Sequence, residues 1–288
     1  MIQLFEQNTL LFLATIGVFG LLFGSFLNVV IHRLPLMMER EWRSDCEQFL
    51  ELPVTEPTPA RYNLFVPGSA CPACGKAIGA LNNIPVLSYL AQRGRCTGCG
   101  VRISPRYPIV ELIAAVTAVV VAQRFGVTLA SLAAIALTWA LIALSAIDFD
   151  KQLLPDALTY PFLWLGLLMN LNGTFVPLAD AVIGAAAGYL SLWSIYWLFK
   201  LATGKEGMAA GDFKLLAVLG AWMGWEALPM IILLSSLVGA VVGVSLIAFS
   251  GHDRGKPIPF GPYLAAAGWI ALIWGDVIMA AWLGGTGI

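Results

Sequence analysis

The chain has 288 residues, of which 59% are hydrophobic and only 11% are charged, and its net charge is -1. A soluble domain usually carries about a quarter charged residues, so the polar side chains here could not cover a water-facing surface. The composition excludes an ordinary soluble enzyme and predicts a membrane protein. No strongly basic stretch indicates a nucleic-acid partner.

Hydropathy predicts an all-α polytopic membrane protein with about eight transmembrane helices. The first apolar run is too long for a cleavable signal segment and no basic region precedes it, so we expect it to remain as a span. The sixth span is short and would need Trp222 and Trp225 as interface anchors. The predicted spans are residues 10–31, 108–123, 128–147, 157–172, 178–199, 213–225, 227–250 and 260–283.

A polar insertion at residues 32–107 separates the first helix, residues 1–31, from a predicted membrane core at residues 108–288. It contains nine of the sixteen lysines and arginines, so the positive-inside rule predicts that it is cytoplasmic. Strict alternation of the eight spans then puts fifteen of the sixteen basic residues on that side, with only Arg124 outside. Both termini are therefore expected on the outer, periplasmic side of a bacterial inner membrane.

Four of the five cysteines form a pattern typical of a zinc ribbon. Cys71-Pro-Ala-Cys74-Gly and Cys96-Thr-Gly-Cys99-Gly are separated by 21 residues, close to the usual spacing. Each C-x-x-C turn offers two thiolates, and four thiolates leave no open position on zinc, which predicts a structural ion. Two disulfides or free thiols are the alternatives, although the reducing cytoplasm disfavours disulfides. Cys46 is left over.

Two aspartates at the ends of predicted spans are the candidate catalytic pair. Asp148 ends the third span and Asp212 opens the sixth, so the chain returns to the same membrane face between them. Two carboxylates sharing a site can hydrolyse an amide, because one takes a proton from water while the other supports the carbonyl. We hypothesise that Asp212, at a helix N-terminus, is the base, and that Asp148, at a C-terminus beside Asp150, is the acid.

Composition alone leaves open that both aspartates are ordinary helix-end residues. A loop containing Gly204, Gly207 and Gly211 precedes Asp212 and suggests close approach of the backbone to a substrate. Lys214 lies off the helix face of Asp212 but could still tune its carboxylate. Asp150, Asp156 and Glu206 are further acids near the spans. Four others have simpler explanations as helix-end, loop or paired residues; they are Glu111, Asp180, Glu226 and Asp276.

Several segments resemble the type IV prepilin peptidases, the GxGD-type membrane aspartyl proteases. In addition to the cysteine pairs, the similar segments are Gly24–Pro35, Asn83–Tyr89, Arg93–Cys96, Arg106–Pro108, Ile147–Asp156, Gly211–Leu216 and Pro257–Pro262. The resemblance implies that Asp148 and Asp212 are catalytic. Gly211, Lys214, Asp150 and Asp156 are expected to support them.

The resemblance implies a bifunctional enzyme. It would cleave the basic leader of a prepilin or pseudopilin after a glycine at the cytoplasmic face, then methylate the new N-terminus with S-adenosylmethionine. The methyl-donor site rests on resemblance alone. One position departs from the Gly-x-Gly-Asp pattern, because Ala209 replaces the first glycine. If that position needs a left-handed backbone, the alanine would cost about 1–2 kcal/mol.

Two other functions compete with this interpretation. A transporter or proton relay also uses intramembrane acids, but it predicts acids near the middle of the bilayer and matching broken helices in two halves. A scaffold whose zinc domain binds partners predicts that the aspartates have no role in any cleavage. A cleavage assay on a prepilin peptide separates the three.

Overall fold

The structure, a computed structural model, describes residues 2–52, 62–250 and 258–285. Within these residues the chain forms ten α-helices and two 3₁₀ turns, with two isolated β-bridges and no β-strand. The prediction of an all-helical fold is confirmed. Both chain ends and Pro257 of the last motif lie outside the described residues, as do Arg61, Arg254 and Lys256 of the charge pattern.

A helix lies at each of the eight predicted spans. In chain order the helices are α1 (Ile2–Gln7), α2 (Thr9–Phe49), α3 (Leu87–Ala91), α4 (Arg106–Phe125), α5 (Leu129–Lys151), α6 (Asp156–Met169), α7 (Leu178–Thr203), α8 (Ala210–Met223), α9 (Leu228–Ser250) and α10 (Gly261–Gly285). Among the described residues, six helices are long and apolar enough to cross a membrane: α2, α4, α5, α7, α9 and α10.

Helices α6 and α8 are shorter than the other six, with 14 residues each. Fourteen residues rise about 21 Å, which is less than the roughly 30 Å of a hydrocarbon core. The six long apolar helices make the chain a multi-pass membrane protein. Because α6 and α8 are shorter than this thickness, the count of eight crossings stays a prediction.

The first compact unit, Met1–Val127, is organised around α2 and α4. Helix α2 does not end near residue 31 but continues through Pro35 to Phe49. The two helices approach closely at glycines, because a Cβ atom at Gly20 would lie 2.6 Å from the Cα atom of Ala115. Small residues at such crossings allow helices in a membrane to pack backbone against backbone.

Polar side chains tie the described part of the insertion to these two helices. Glu111 of α4 is buried, and its Oε2 atom accepts the backbone N–H of Val86 at 2.7 Å. Arg33 of α2 is also buried and donates to the carbonyl oxygen of Asn63 at 3.0 Å. The partner of Glu111 at Oε2 is thus a backbone amide of the insertion rather than a basic side chain.

The second compact unit, Thr128–Ile288, has α8 among its most buried elements. Every side chain of α8 from Leu215 to Trp222 is buried. Helix α7 packs against it through Gly184 and Gly220, whose backbones meet so closely that neither position has room for a Cβ atom. This packing holds the C-terminal end of α8 against α7.

A buried asparagine also holds the C-terminal end of α8. Asn170 is 0% exposed, and its amide nitrogen donates to the carbonyl oxygens of Ala221 at 3.0 Å and Trp222 at 3.2 Å. Its oxygen accepts the backbone N–H groups of Phe175 at 2.9 Å and Val176 at 3.1 Å. One side chain thereby satisfies carbonyl groups that the last turn of a helix leaves without intrahelical partners.

We expect Asn170→Ala to destabilise the second unit by about 2–4 kcal/mol, because it leaves two buried carbonyl groups and two partly buried N–H groups without this partner. Thermal unfolding in detergent measures the effect as a drop in Tm of several degrees. Asn172→Ala is the matched control, since Asn172 lies in the same 3₁₀ turn and is exposed. Equal stability of the two variants would contradict the prediction.

Candidate active site and metal centre

Asp148 lies in the last turn of α5 and is only 5% exposed. The helix ends three residues later, where Gln152 adopts a left-handed conformation and donates its N–H to the carbonyl oxygen of Asp148 at 2.8 Å. The side chain of Asp148 accepts the backbone N–H of Gly261, the first residue of α10, at 3.0 Å. The end of α5 and the start of α10 therefore meet at this carboxylate.

Asp212 is the third residue of α8 and is 4% exposed. Leu154 packs against Gly211, which precedes Asp212, and against Gly261, which contacts Asp148. A Cβ atom at Gly211 would lie 2.8 Å from the Cβ atom of Leu154, and a Cβ atom at Gly261 would lie 3.4 Å from the Cδ1 atom of the same leucine. The two carboxylates also interact electrostatically. The structure therefore brings the two predicted acids into one buried neighbourhood, and their catalytic role stays a prediction.

Two of the three glycines before Asp212 lie close to other parts of the protein. Gly211 makes its close approach to Leu154, and a Cβ atom at Gly207 would lie 2.8 Å from the ring of Phe199. The approach of this loop to a substrate stays a prediction. Ala209, which replaces the family glycine, has φ -85° and ψ 148°. This is extended backbone that any residue adopts, so the alanine causes no left-handed strain.

Lys214 is paired with Asp156. Its Nζ atom lies 2.6 Å from Oδ1 and 2.9 Å from Oδ2 of Asp156, the first residue of α6, and 5.2 Å from the ring centroid of Tyr160. The pair joins the first turns of α6 and α8 close to Asp212. Asp150 is exposed in the last turn of α5. Of the four predicted supporting residues, Gly211, Lys214 and Asp156 thus make contacts between segments of this unit.

Sequence reasoning gave Glu206 no role, although it anchors the loop that leads to α8. Its carboxylate accepts from Lys200 at 2.8 Å and from the hydroxyl of Tyr196 at 3.2 Å. The hydrogen bond from Lys200 lowers the pKa of Glu206, so the pair is ionic at neutral pH. The spacing of Tyr196 and Lys200, four residues apart on one helix face, is the signal that could have indicated this contact.

The four predicted metal ligands lie together in the first unit. The Sγ atoms of Cys71, Cys74, Cys96 and Cys99 all lie within 4.8 Å of one another. Cys71 and Cys99 are 3.9 Å apart, and Cys74 and Cys96 are 4.0 Å apart, so no disulfide joins them. Zinc bound to four thiolates at about 2.3 Å requires sulfur atoms roughly 3.8 Å apart. The cluster therefore fits a tetrahedral metal ion.

The two cysteine turns have the same backbone geometry. Gly75 donates its N–H to the carbonyl oxygen of Cys71, and Gly100 donates to that of Cys96, both at 2.9 Å. Both glycines have positive φ angles, +69° and +73°, which side chains rarely adopt. Hydrogen bonds from the backbone N–H groups of Gly98 and the next residue lower the pKa of Cys96 to about 6. This favours the thiolate of Cys96, the form that binds metals, whereas burial and hydrogen bonds with the neighbouring thiols raise the pKa of Cys99 to about 11.

Two family models match the chain over these regions. Residues 18–125 match the bacterial peptidase A24 N-terminal domain, which includes the cysteine cluster. Residues 135–244 match the type IV leader peptidase family, which includes both buried aspartates. No solved structure matches the chain significantly.

Curated relatives match over almost the whole length. The chain is 60% identical over 269 residues to a prepilin leader peptidase/N-methyltransferase of Aeromonas salmonicida, covering 93% of this chain and 92% of the relative. It is 56% identical to the protein of that name from Stutzerimonas stutzeri, covering 98% and 97%, and 58% identical to that of Pseudomonas aeruginosa, covering 92% and 91%. The chain belongs to the type IV leader peptidase family.

Proposed function

We propose that this protein is a prepilin leader peptidase and N-methyltransferase. It cleaves the basic leader of a type IV prepilin or pseudopilin after a glycine and methylates the new N-terminal residue. The names of relatives that are up to 60% identical over almost the whole chain support this function. The observation that carries the peptidase assignment is the pair of buried aspartates on α5 and α8. Gly211, beside Asp212, and Gly261, which contacts Asp148, both pack against Leu154.

We assign Asp148 and Asp212 as the catalytic acids of a metal-independent hydrolysis. One carboxylate takes a proton from water as the water oxygen attacks the carbonyl carbon, while the protonated partner donates a hydrogen bond to the carbonyl oxygen. The leaving amine takes a proton from the pair as the carbon–nitrogen bond breaks. The pairs Lys214–Asp156 and Lys200–Glu206 support these acids by fixing the start of α8 and the preceding loop. Both acids lie in terminal helical turns, which suits a reaction at a membrane face better than a transport path through its centre.

We propose zinc as the metal held by Cys71, Cys74, Cys96 and Cys99. Four thiolates leave no coordination position for a substrate, so the ion would cross-link two chain turns rather than act in the reaction. S-adenosylmethionine would supply the methyl group. Residues 32–107, including the part of α2 beyond residue 31, form the metal-binding domain, and residues 108–288 form the protease core.

The same proposal places the protein in the bacterial inner membrane, with residues 1–31 as its first transmembrane helix. The distribution of basic residues supports a cytoplasmic insertion and periplasmic termini. The substrate partner is a prepilin or pseudopilin, whose basic leader would lie on the side of the insertion. The remaining contacts of the apolar helices are with lipid.

A reconstituted assay tests the function directly. Purified full-length protein in detergent is incubated with a prepilin peptide and S-adenosylmethionine, and the products are measured by mass spectrometry. Loss of the leader followed by gain of one methyl group is expected. An intact peptide would overturn the peptidase assignment, and a cleaved but unmethylated product would overturn the second activity.

A further inference from the structure

A short segment of the insertion lies along one face of α2. Three residues of α2 contact it, and their spacing of seven puts them on the same side of the helix: Phe26, Arg33 and Arg40. The guanidinium carbon of Arg40 lies 4.1 Å from the ring centroid of Tyr62, and the rings of Phe26 and Phe65 stack with their centroids 6.2 Å apart. Arg33 donates to the backbone between these two contacts. The segment therefore follows α2 back towards the N-terminus of that helix.

This direction leads into the membrane. Residues 9–31 of α2 contain no charged side chain, and the helix is long and apolar enough to cross a bilayer. Phe26 lies five residues, or about 7–8 Å, before the end of this apolar part. Long side chains on a helix point back towards its N-terminus, so the ring of Phe26 reaches deeper still. The ring of Phe65 is stacked on it and therefore lies beside the apolar part of α2.

The tip of the segment presents apolar side chains to its surroundings. Phe65 is 79% exposed and Val66 is 45% exposed. Residues 62–70 contain no charged side chain. Leu22, one helical turn before Phe26 on α2, is exposed as well, so the tip continues an apolar surface that already belongs to a spanning helix. This continuity favours lipid over a protein partner as the occupant of the surface.

The backbone of the segment makes its hydrogen bonds within the protein. The Oδ1 atom of Asn63 accepts the N–H groups of Phe65 and Val66, both at 2.8 Å. The N–H of Asn63 donates to the carbonyl oxygen of Val66 at 2.8 Å, and the carbonyl oxygen of Asn63 accepts from Arg33 at 3.0 Å. Pro67 has no N–H group. A turn with these bonds can leave water, because backbone groups in lipid need partners inside the protein.

We propose that the turn at residues 62–67 inserts into the bilayer where α2 leaves it, with Phe65 and Val66 in contact with the acyl chains of lipids. The turn anchors the insertion to the membrane surface. Cys71 follows Phe65 by six residues, which span at most roughly 20 Å, so the four-cysteine cluster is held near the headgroups. This anchoring does not depend on the reaction that the protein catalyses.

Photocrosslinking in a bilayer tests the contact. The full-length protein, with p-benzoylphenylalanine in place of Phe65, is reconstituted in nanodiscs of phosphatidylethanolamine and phosphatidylglycerol and then irradiated. Mass spectrometry measures the yield of lipid adducts, and fragmentation shows which part of the lipid is attached. We expect adducts on the acyl chains, because the ring lies beside the apolar part of α2.

Two positions of α2 give the reference yields. The probe at Leu22 reports a lipid-facing position, and the probe at Phe49, which is exposed about 27 Å beyond residue 31, reports a position outside the bilayer. The yield at Phe65 should lie within about threefold of that at Leu22 and at least about tenfold above that at Phe49. A yield as low as that at Phe49, adducts on headgroups alone, or attachment to a protein would overturn the proposal. The absence of lipid adducts at Leu22 would overturn it too, because α2 would then not lie in the bilayer.

Asn63→Ala tests how the turn enters the lipid. The variant removes the side-chain acceptor of two N–H groups, which then need water, so the lipid-adduct yield of the probe at Phe65 should fall at least about threefold. The yield of the probe at Leu22 in the same variant should not change, which shows that α2 still spans the bilayer. An unchanged yield at Phe65 would overturn this account of how the turn enters the lipid.

Discussion

Asp148→Ala and Asp212→Ala should each lower kcat for leader cleavage by about 10³-fold or more. Each removes one half of the acid–base pair, and neither water nor a neighbouring residue can replace a positioned carboxylate. Methylation of a peptide that already lacks its leader should continue in both variants, because that reaction needs no hydrolysis. Single-turnover cleavage measured by mass spectrometry, beside a methyl-transfer assay on the pre-cleaved peptide, gives the two rates separately.

Glu226→Ala is the control for these two variants. Glu226 is an exposed acid in the turn before α9, away from the described contacts of Asp148 and Asp212. It should retain the wild-type rate of cleavage. If either aspartate variant cleaves the prepilin peptide as fast as Glu226→Ala does, the catalytic assignment is wrong. If both lose methyl transfer as well as cleavage, their fold has been lost and the conservative asparagine variants decide instead.

The features that the sequence predicted well are those that depend on local patterns. Apolar runs of about 20 residues predict spanning helices because the bilayer requires internally satisfied backbone groups. The two C-x-x-C-Gly turns indicated the cysteine cluster, since each turn needs only five consecutive residues and a glycine with positive φ. Asp148 and Asp212 could be selected as a pair because both lie at helix ends that strict alternation puts on one face.

The features that the sequence did not predict are contacts between distant residues. Nothing near Gly261 indicates that its N–H meets Asp148, because that contact depends on how α10 packs in the second unit. The approach of Gly211 to Leu154 likewise follows from the packing of α8, which Gly184 and Gly220 allow. The hypothesis that Asp212 is the base considered only the helix that carries each acid. It could not include the N-terminus of a third helix.

The predicted first span ends at residue 31, whereas α2 continues to Phe49. Hydropathy falls after residue 31 because polar residues follow, and we therefore ended the span there. Polar residues such as glutamate and arginine are nevertheless good helix formers, so α2 continues to Phe49 after leaving the apolar stretch. Hydropathy predicts the end of the apolar segment and not the end of the helix.

Cys74→Ser should remove the bound metal from the protein. We expect the wild type to carry about one zinc ion per chain, because its four sulfur atoms fit a tetrahedral site, and the variant to retain less than about a tenth of that amount. Structural zinc sites contribute on the order of 10 kcal/mol to local folding, so residues 62–105 should become sensitive to protease. Metal content by mass spectrometry and limited proteolysis of the purified protein measure both effects.

Cys46→Ser is the matched control for this substitution. Cys46 is exposed near the end of α2 and does not belong to the four-cysteine cluster, so its removal should change neither metal content nor protease resistance. A strong chelator should reproduce the Cys74→Ser result in the wild-type protein, and lower pH should make removal easier because protons compete for the thiolates. Full zinc content in Cys74→Ser, or a metal-free wild type that resists protease equally well, would show that the cluster does not need an ion to hold its shape.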